Sequence, residues 1–227
     1  MNKNLLSAVV LAAALTALNA QTVDQIVARN ITARGGAKRL AALETQSMTG
    51  TLGFAPNPGG PFHVEMKRPG KLRQEISPAF IQVTDGIQGF VLKQGKPPEP
   101  MLAGQLTDLA GSADFEGPLF RYEAKGNKVE LAGKEKLDGR DAYKLIITMR
   151  DGTQRTDFID AKTYLESKWE GVVGGQKMET WFHDYRKVKG LAYSHSLDTT
   201  GPGFQQKLVF TKIEVNVPLS DSHFTKP

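Results

Sequence analysis

The chain has 227 residues, a formal net charge of +5 and no cysteine. The missing cysteine excludes disulfide bonds, zinc–thiolate sites, thiol nucleophiles and anchoring through a lipid-modified cysteine. Its 29 Lys and Arg residues exceed its 24 Asp and Glu residues only slightly and are mostly scattered, so we expect no nucleic-acid partner.

Residues 1–20 have the pattern of a secretory signal peptide. Lys3 supplies a positive charge, residues 5–18 form an apolar stretch, and Ala20 is a small residue suited to cleavage. The alternative is a membrane anchor, but the apolar run is shorter than the roughly 20 residues that cross a bilayer. We therefore expect export to the periplasm, cleavage after Ala20, and one soluble domain formed by residues 21–227.

The next segment, residues 22–43, has the spacing of an amphipathic helix. Thr22 is a good N-cap residue, and Gln25 stands three positions later, as in a capping box. Gly35 and Gly36 are expected to break the helix, which then resumes for about two turns, with Leu40 and Leu43 facing inward.

From residue 47 onward the hydrophobic pattern changes to a period of two, which is typical of β-strands. Asp-Gly pairs at 85–86, 138–139 and 151–152 predict hairpin turns between them. The pattern predicts a mainly β fold of about ten or eleven antiparallel strands, forming a barrel or one large curved sheet. The predicted strands are residues 48–54, 62–68, 71–76, 81–84, 89–93, 128–131, 142–149, 153–159, 166–170, 177–182, 192–197 and 205–215.

Residues 97–126, here called the inserted segment, interrupt the strand pattern. Met101, Leu102, Leu106 and Leu109 lie at helical spacing, and Ser112 or Asp114 is expected to cap a second short helix. The apolar side of these helices must be buried, and the inner face of the sheet is the nearest place. The segment is then either a lid over a cavity or a permanent plug.

Strand alternation also predicts which side chains face inward, where they line either a ligand cavity or an ordinary core. The candidate ligand-binding set takes these residues together with two from the inserted segment. It consists of Leu52, Phe54, Val64, Met66, Leu102, Leu106, Tyr143, Leu145, Ile147, Met149, Leu208 and Phe210.

The sequence shows no catalytic pattern. Neither the spacing of a zinc hydrolase nor a nucleophile elbow nor a phosphate-binding loop is present, and Asp157 and Asp160 are expected to serve in a turn. We expect no enzyme activity, metal or cofactor; the enzymatic alternative is an unrecognised site around Asp157, His183 and Asp184. The histidines are scattered at His63, His183, His195 and His223.

Several short motifs together resemble the periplasmic carriers that sort outer-membrane lipoproteins, the LolA-like family. Residues 66–73 (Met-Lys-Arg-Pro-Gly-Lys-Leu-Arg) resemble the family's Lys-Arg-Pro strand and turn. Residues 83–86 and 90–92 resemble its next hairpin, residues 137–145 and 158–165 a pair of later strands, and residues 213–219 with Phe224 its C-terminal end.

This resemblance implies an unclosed antiparallel barrel of about eleven strands, with an N-terminal helix and a helical lid or plug, that holds acyl chains. Arg68 matches the arginine that in the family closes the lid through hydrogen bonds to lid backbone, and the lid would be residues 97–122. Leu72 lies near an aromatic barrel position of the family. Both residues therefore join the candidate ligand-binding set.

The resemblance further implies lipoprotein or lipid cargo, movement of that cargo towards the outer membrane, and a monomer that meets inner- and outer-membrane proteins transiently. The fold is also similar to the lipid-sensing domain of periplasmic stress regulators. The alternative function is therefore an envelope lipid-sensing or protein-interaction module without transport activity.

Overall fold

A computed structural model describes residues 21–226; the predicted signal peptide, residues 1–20, lies outside them. The described residues form one antiparallel sheet of thirteen strands with a few short helices. In chain order the elements are α1 (Val23–Ala33), α2 (Ala37–Ala41), β1 (Thr45–Phe54), β2 (Gly60–Lys67), β3 (Lys71–Ser77), β4 (Phe80–Thr84), β5 (Gly89–Lys93), β6 (Glu99–Pro100), α3 (Ala103–Ser112), β7 (Lys128–Leu137), β8 (Arg140–Thr148), β9 (Gln154–Asp160), β10 (Glu166–Val173), β11 (Gln176–Val188), β12 (Leu191–Gly201), β13 (Phe204–Val215) and a 3₁₀ turn (Asp221–Phe224).

The strand order is β6–β5–β4–β3–β2–β1–β13–β12–β11–β10–β9–β8–β7, so the sheet is unclosed and β6 and β7 are its two edges. The predicted mainly β, unclosed antiparallel fold is confirmed. Its thirteen strands exceed the expected ten or eleven. Twelve of them overlap the predicted strand ranges, and the remaining one, β6, has two residues, which are too few to show any alternation.

Local turn chemistry produces the hairpins, as the Asp-Gly pairs predict. Asp138 and Gly139 both have positive φ, 47° and 80°, which is the backbone shape that joins two twisted strands by a tight turn. In β1 the register to β13 shifts between Thr49 and Gly50, where a bulge forms.

The N-terminal helix begins as predicted. The Thr22 side chain accepts a hydrogen bond from the backbone N–H of Gln25, and the Gln25 side chain accepts one from the N–H of Thr22. The break at Gly35–Gly36 is also confirmed, since Gly36 has φ 92°. The buried side chains of Ile26 and Val27 fix α1 against strands β8 and β9.

The connection from β6 to β7 joins opposite edges of the sheet, so it must cross one face. Its first part is the predicted helix, α3, which lies against β3 and β4. The predicted second helix is wrong, because residues 113–126 form turns. Two local features favour turns here: Gly117 has φ 69°, and the Asp114 carboxylate accepts a hydrogen bond from the Glu116 N–H.

The helices and the inserted segment cover one face of the sheet, here called the inner face. Three apolar clusters lie there: one around Val64 and Met66, one around Leu145 and Ile159, and one around Leu40. Among the described residues, every helix is too short or too polar to cross a membrane.

Candidate ligand cavity

A cavity of about 220 Å³ lies on the inner face between the three apolar clusters. Strand β1 and strands β9 to β13 form its floor, and α1, α2 and the inserted segment form its roof. Apolar side chains make up most of its wall, namely Met48, Phe115, Leu119, Ile159, Leu197 and Phe210. Polar side chains line the remainder, including Asn30, Arg34, Gln46, Asp157, Glu166 and Tyr185.

The structure divides the candidate ligand-binding residues into two core clusters. The first contains Leu52, Val64, Met66, Leu72 and Phe210, with Leu208 packed against it. The second contains Tyr143, Leu145 and Ile147, with Met149 packed against it. Within the described residues, Phe210 is the member of the predicted set that lines the cavity. The other members of these two clusters face the same side but pack against neighbours as core.

Three predicted residues lie at the margins. Phe54 is 41% exposed at the end of β1, and Leu102 is 74% exposed just before α3, so the expectation that they point into a closed interior is wrong. Both stand at the end of an element, where the covering layer stops. Leu106, one turn further into α3, does reach inward and lies near Gly89 on β5.

Arg68 contacts the inserted segment in a way the sequence did not predict. Its Nη2 donates to the Glu116 carboxylate at 2.8 Å, and its guanidinium lies over the Phe115 ring, 5.3 Å from the centroid. Its Nε donates to the carbonyl of Leu43, just before β1. The expected bonds from Arg68 to lid backbone are thus replaced by an ion pair with a side chain of the segment.

Arg34, which sequence reasoning missed, makes the backbone contacts. Its Nη1 donates to the Glu116 carbonyl, and its Nη2 donates to the Phe115 carbonyl at 3.3 Å. Arg34 is the C-cap of α1, so the helix break at Gly35–Gly36 places it over the cavity. The signal available in the sequence was an arginine immediately before a predicted helix end.

A charged cluster occupies the cavity wall on β9 and β10. Arg155 Nε donates to Asp157 Oδ1 at 2.5 Å, and Arg155 Nη2 donates to Glu166 Oε1 at 2.7 Å. Asp157 is buried, so its expected role in a turn is wrong; Asp160 does serve in the turn, accepting from the N–H groups of Lys162 and Thr163. Alternation gave the signal, because Asp157 lies in register with the inward-facing Ile159.

Burial raises the pKa of Glu166 to about 8, and the neighbouring Asp157 carboxylate adds to the rise, whereas Arg155 and Arg34 oppose it. Burial, assisted by Glu166, also raises the pKa of Tyr185 well above its ordinary value. The phenol of Tyr185 therefore stays protonated and donates to the Glu166 carbonyl at 2.9 Å.

The pKa of Glu166 predicts a loss of stability with rising pH. The native state holds this proton up to pH about 8, whereas an unfolded chain releases it near 4.5, so the stabilisation is complete below 4.5 and lost as pH rises through 8. Between pH 5 and 9 we expect the free energy of unfolding of the wild type to fall relative to Glu166→Gln. At about 1.4 kcal/mol per pKa unit, the fall is about 4 kcal/mol at most.

Urea denaturation across this pH range measures the difference. Glu130→Gln makes the same chemical change at an exposed position of β7 and serves as the control. Parallel pH profiles for wild type and Glu166→Gln would contradict the raised pKa.

Other candidate functional residues lie apart from the cavity. His183 and Asp157 lie on opposite faces of the sheet, since His183 is in register with Trp181 on the outer face. The basic group at residues 67–73 is paired: Lys67 and Lys71 bind Asp221 at 2.8 and 2.9 Å, and Arg73 binds Glu75. Within residues 21–226, no group of three or more His, Asp or Glu side chains could hold a metal ion.

Several solved structures have a similar fold. A DUF1329 family protein from Desulfovibrio piger matches with a TM-score of 0.63 and 12% identity, covering 91% of this chain and 98% of that chain. A LolA superfamily protein from Nitrosomonas europaea matches with a TM-score of 0.61 and 15% identity, covering 91% and 99%. An outer membrane lipoprotein-sorting protein domain from Vibrio parahaemolyticus matches with a TM-score of 0.59 and 16% identity, covering 88% and 95%.

At the sequence level, no protein-family model and no curated protein matches the chain. The structural matches cover nearly the whole of both chains, so they define the class: this is a LolA-like fold, mainly β and built on one unclosed antiparallel sheet. At 12 to 16% identity they define the fold alone.

Proposed function

We propose that the protein is an exported periplasmic carrier without enzyme activity. It binds acylated cargo, a lipoprotein or a lipid, in the cavity on the inner face and moves it towards the outer membrane. Three observations support this: the signal-peptide pattern of residues 1–20, the LolA-like fold, and the similarity to a structure described as a lipoprotein-sorting domain.

The observation that carries the proposal is a largely apolar cavity under a segment tied down by two arginines. Pockets for drug-sized ligands usually measure about 300–1,000 Å³, so the cavity of about 220 Å³ is too small for a long acyl chain in this closed form. The inserted segment must move to admit cargo. Its contacts to Arg34 and Arg68 are hydrogen bonds and one ion pair, which can break without disrupting the sheet.

Energetics favour such a movement. Each buried methylene contributes about 0.8 kcal/mol, whereas a hydrogen bond to a charged group contributes roughly 1.5–3 kcal/mol. The two Arg34 bonds and the Arg68 bond together are worth about 4.5–9 kcal/mol, so burying roughly six to eleven methylenes offsets their release. An acyl chain longer than this binds with a surplus, and little of that surplus depends on the identity of the cargo.

Removing either arginine is expected to increase cargo retention, because apparent affinity rises with the fraction of molecules that are open. We expect Arg34→Leu and Arg68→Leu each to retain about five to ten times more acylated ligand than the wild type. Native mass spectrometry of protein purified from a bacterial periplasm without detergent, before and after adding a lipopeptide, measures this. Arg39→Leu on α2 is the control, since Arg39 is exposed and its guanidinium donates to the neighbouring Gly35 carbonyl rather than to the inserted segment.

The same experiment tests the alternative function. The small cavity would suit a plugged barrel that acts as an envelope lipid-sensing or protein-interaction module. If wild type, Arg34→Leu and Arg68→Leu all keep the bare polypeptide mass after lipopeptide is added, the carrier proposal fails and the interaction module is favoured.

A further inference from the structure

Asn30 of α1 presents a buried acceptor that the fold leaves unused. The side chain is 1% exposed, and its Nδ2 donates to the Tyr164 carbonyl at 2.8 Å, which ties α1 to the turn between β9 and β10. Its Oδ1 has no hydrogen-bond partner among the described residues. A buried amide oxygen without a donor is costly, and native structures rarely tolerate one without a functional reason.

The surroundings of Asn30 in the cavity are also dominated by acceptors. Asp157 and Glu166 line the same cavity, and their carboxyl groups receive hydrogen bonds from Arg155. The guanidinium of Arg34 is directed to the carbonyls of Phe115 and Glu116. A ligand that binds at this wall must therefore donate hydrogen bonds.

Charge decides what kind of donor fits. The charged side chains that line the cavity at neutral pH are Arg34 and Asp157, because burial raises the pKa of Glu166 to about 8 and Glu166 keeps its proton. An anionic head group would meet the Asp157 carboxylate, and a cationic one would meet the Arg34 guanidinium. An uncharged group with O–H or N–H donors avoids both conflicts.

We infer that this polar wall, centred on Asn30, binds an uncharged hydrogen-bond-donating head group of the acyl ligand. The inference rests on the proposed acyl-binding function and adds its specificity. Hydroxyl groups of a glyceride and the N–H of an acyl amide share this chemistry. In either case the apolar wall binds the acyl chain of the ligand. Asn30 discriminates between head groups that can donate a hydrogen bond and head groups that cannot.

Three probes with the same C16 acyl chain test the inference: 1-palmitoylglycerol, palmitamide and methyl palmitate, which has no donor. Equilibrium competition against a fluorescent fatty acyl probe gives their relative affinities for the full mature chain. We expect one or both donor-bearing probes to bind about tenfold more tightly than methyl palmitate. Preference for the glyceride or for the amide identifies the source of the donor.

Asn30→Leu supplies the second arm, with Asn57→Leu in an exposed turn as its control. We expect Asn30→Leu to abolish the preference by weakening the donor-bearing probes, while methyl palmitate binds as before. Asn57→Leu should keep the preference. The probe series on the wild type needs no variant, so the test stands even if Asn30→Leu folds poorly.

The outcomes separate the two proposals. If all three probes bind the wild type equally, the head-group inference is overturned and acyl binding stands. If the fluorescent fatty acyl probe itself does not bind to the protein, no competition can be measured and the carrier proposal fails. Tighter binding of methyl palmitate than of both donors would also overturn the inference.

Discussion

Gly50→Ala is expected to destabilise the protein by roughly 3 kcal/mol or more, which would be among its largest single-residue effects. A Cβ atom at this position would overlap the backbone carbonyl oxygen of Val209 on the neighbouring strand and crowd the Cα of Phe210. These are backbone atoms, so no rotamer change relieves the overlap. The β1–β13 ladder must separate or change register at the bulge opposite Gly50, where Thr211 is the extra residue of β13.

Urea denaturation followed by far-UV circular dichroism measures this loss. Gly60→Ala is a matched control, because Gly60 also lies in a strand and a Cβ there meets nothing within 4 Å. The control should change the free energy of unfolding by no more than about 0.5 kcal/mol. Equal stabilities for the two variants would show that the backbone at the bulge can move enough to accommodate a methyl group.

Arg155→Met is expected to cost roughly 3–5 kcal/mol, because it leaves the buried Asp157 carboxylate and Glu166 without their shared cation. Replacing both members of the tighter pair, in Arg155→Met/Asp157→Leu, should recover much of that loss, since an apolar pair needs no compensation. The same denaturation measurement compares the single and double variants.

Arg186→Met tests whether burial is the cause. Arg186 pairs with Asp184 at 2.6 Å, a geometry as close as that of Arg155 with Glu166, but on an exposed strand surface. We expect no measurable change in the stability of this control. A similar loss in Arg155→Met and Arg186→Met, or no recovery in the double variant, would contradict the burial argument.

Sequence reasoning succeeded where short-range chemistry decides the structure. The capping box at Thr22 and Gln25 and the turn at Asp138–Gly139 depend on residues a few positions apart, and both formed as predicted. The failed second helix was also local in origin. Gly117, Pro118 and the Asp114 side chain together favour turns, and the apolar spacing of Phe115 and Leu119 concealed that preference.

The cavity could not be predicted in the same way. Alternation identifies inward-facing residues such as Leu145 and Phe210, but it does not say which of them pack as core and which face open space. That depends on the path of the inserted segment, which is set by the distance between the sheet edges and by Arg34. The segment contacts Arg34 across a long stretch of chain, and no local pattern reveals such a contact.

The polar wall was missed for a different reason. Asp157 was expected to serve in a turn because it lies near the end of a predicted strand, and Glu166 was given no role. Their register indicates the inner face instead, because Asp157 shares its face with Ile159 and Glu166 pairs with Ile159 across the strands. A charged residue at an inward-facing position of a strand is therefore the feature of the sequence that indicates a polar wall.

The strand order also has a consequence for how the chain folds. All neighbouring strands follow one another along the chain except β1 and β13, where Met48 pairs with Ile213. The two runs of hairpins can each form early, but joining them must close a loop that spans most of the protein, which slows folding. Until β13 has been synthesised, β1 exposes an open edge to other chains, so a chain truncated before Phe204 is expected to aggregate.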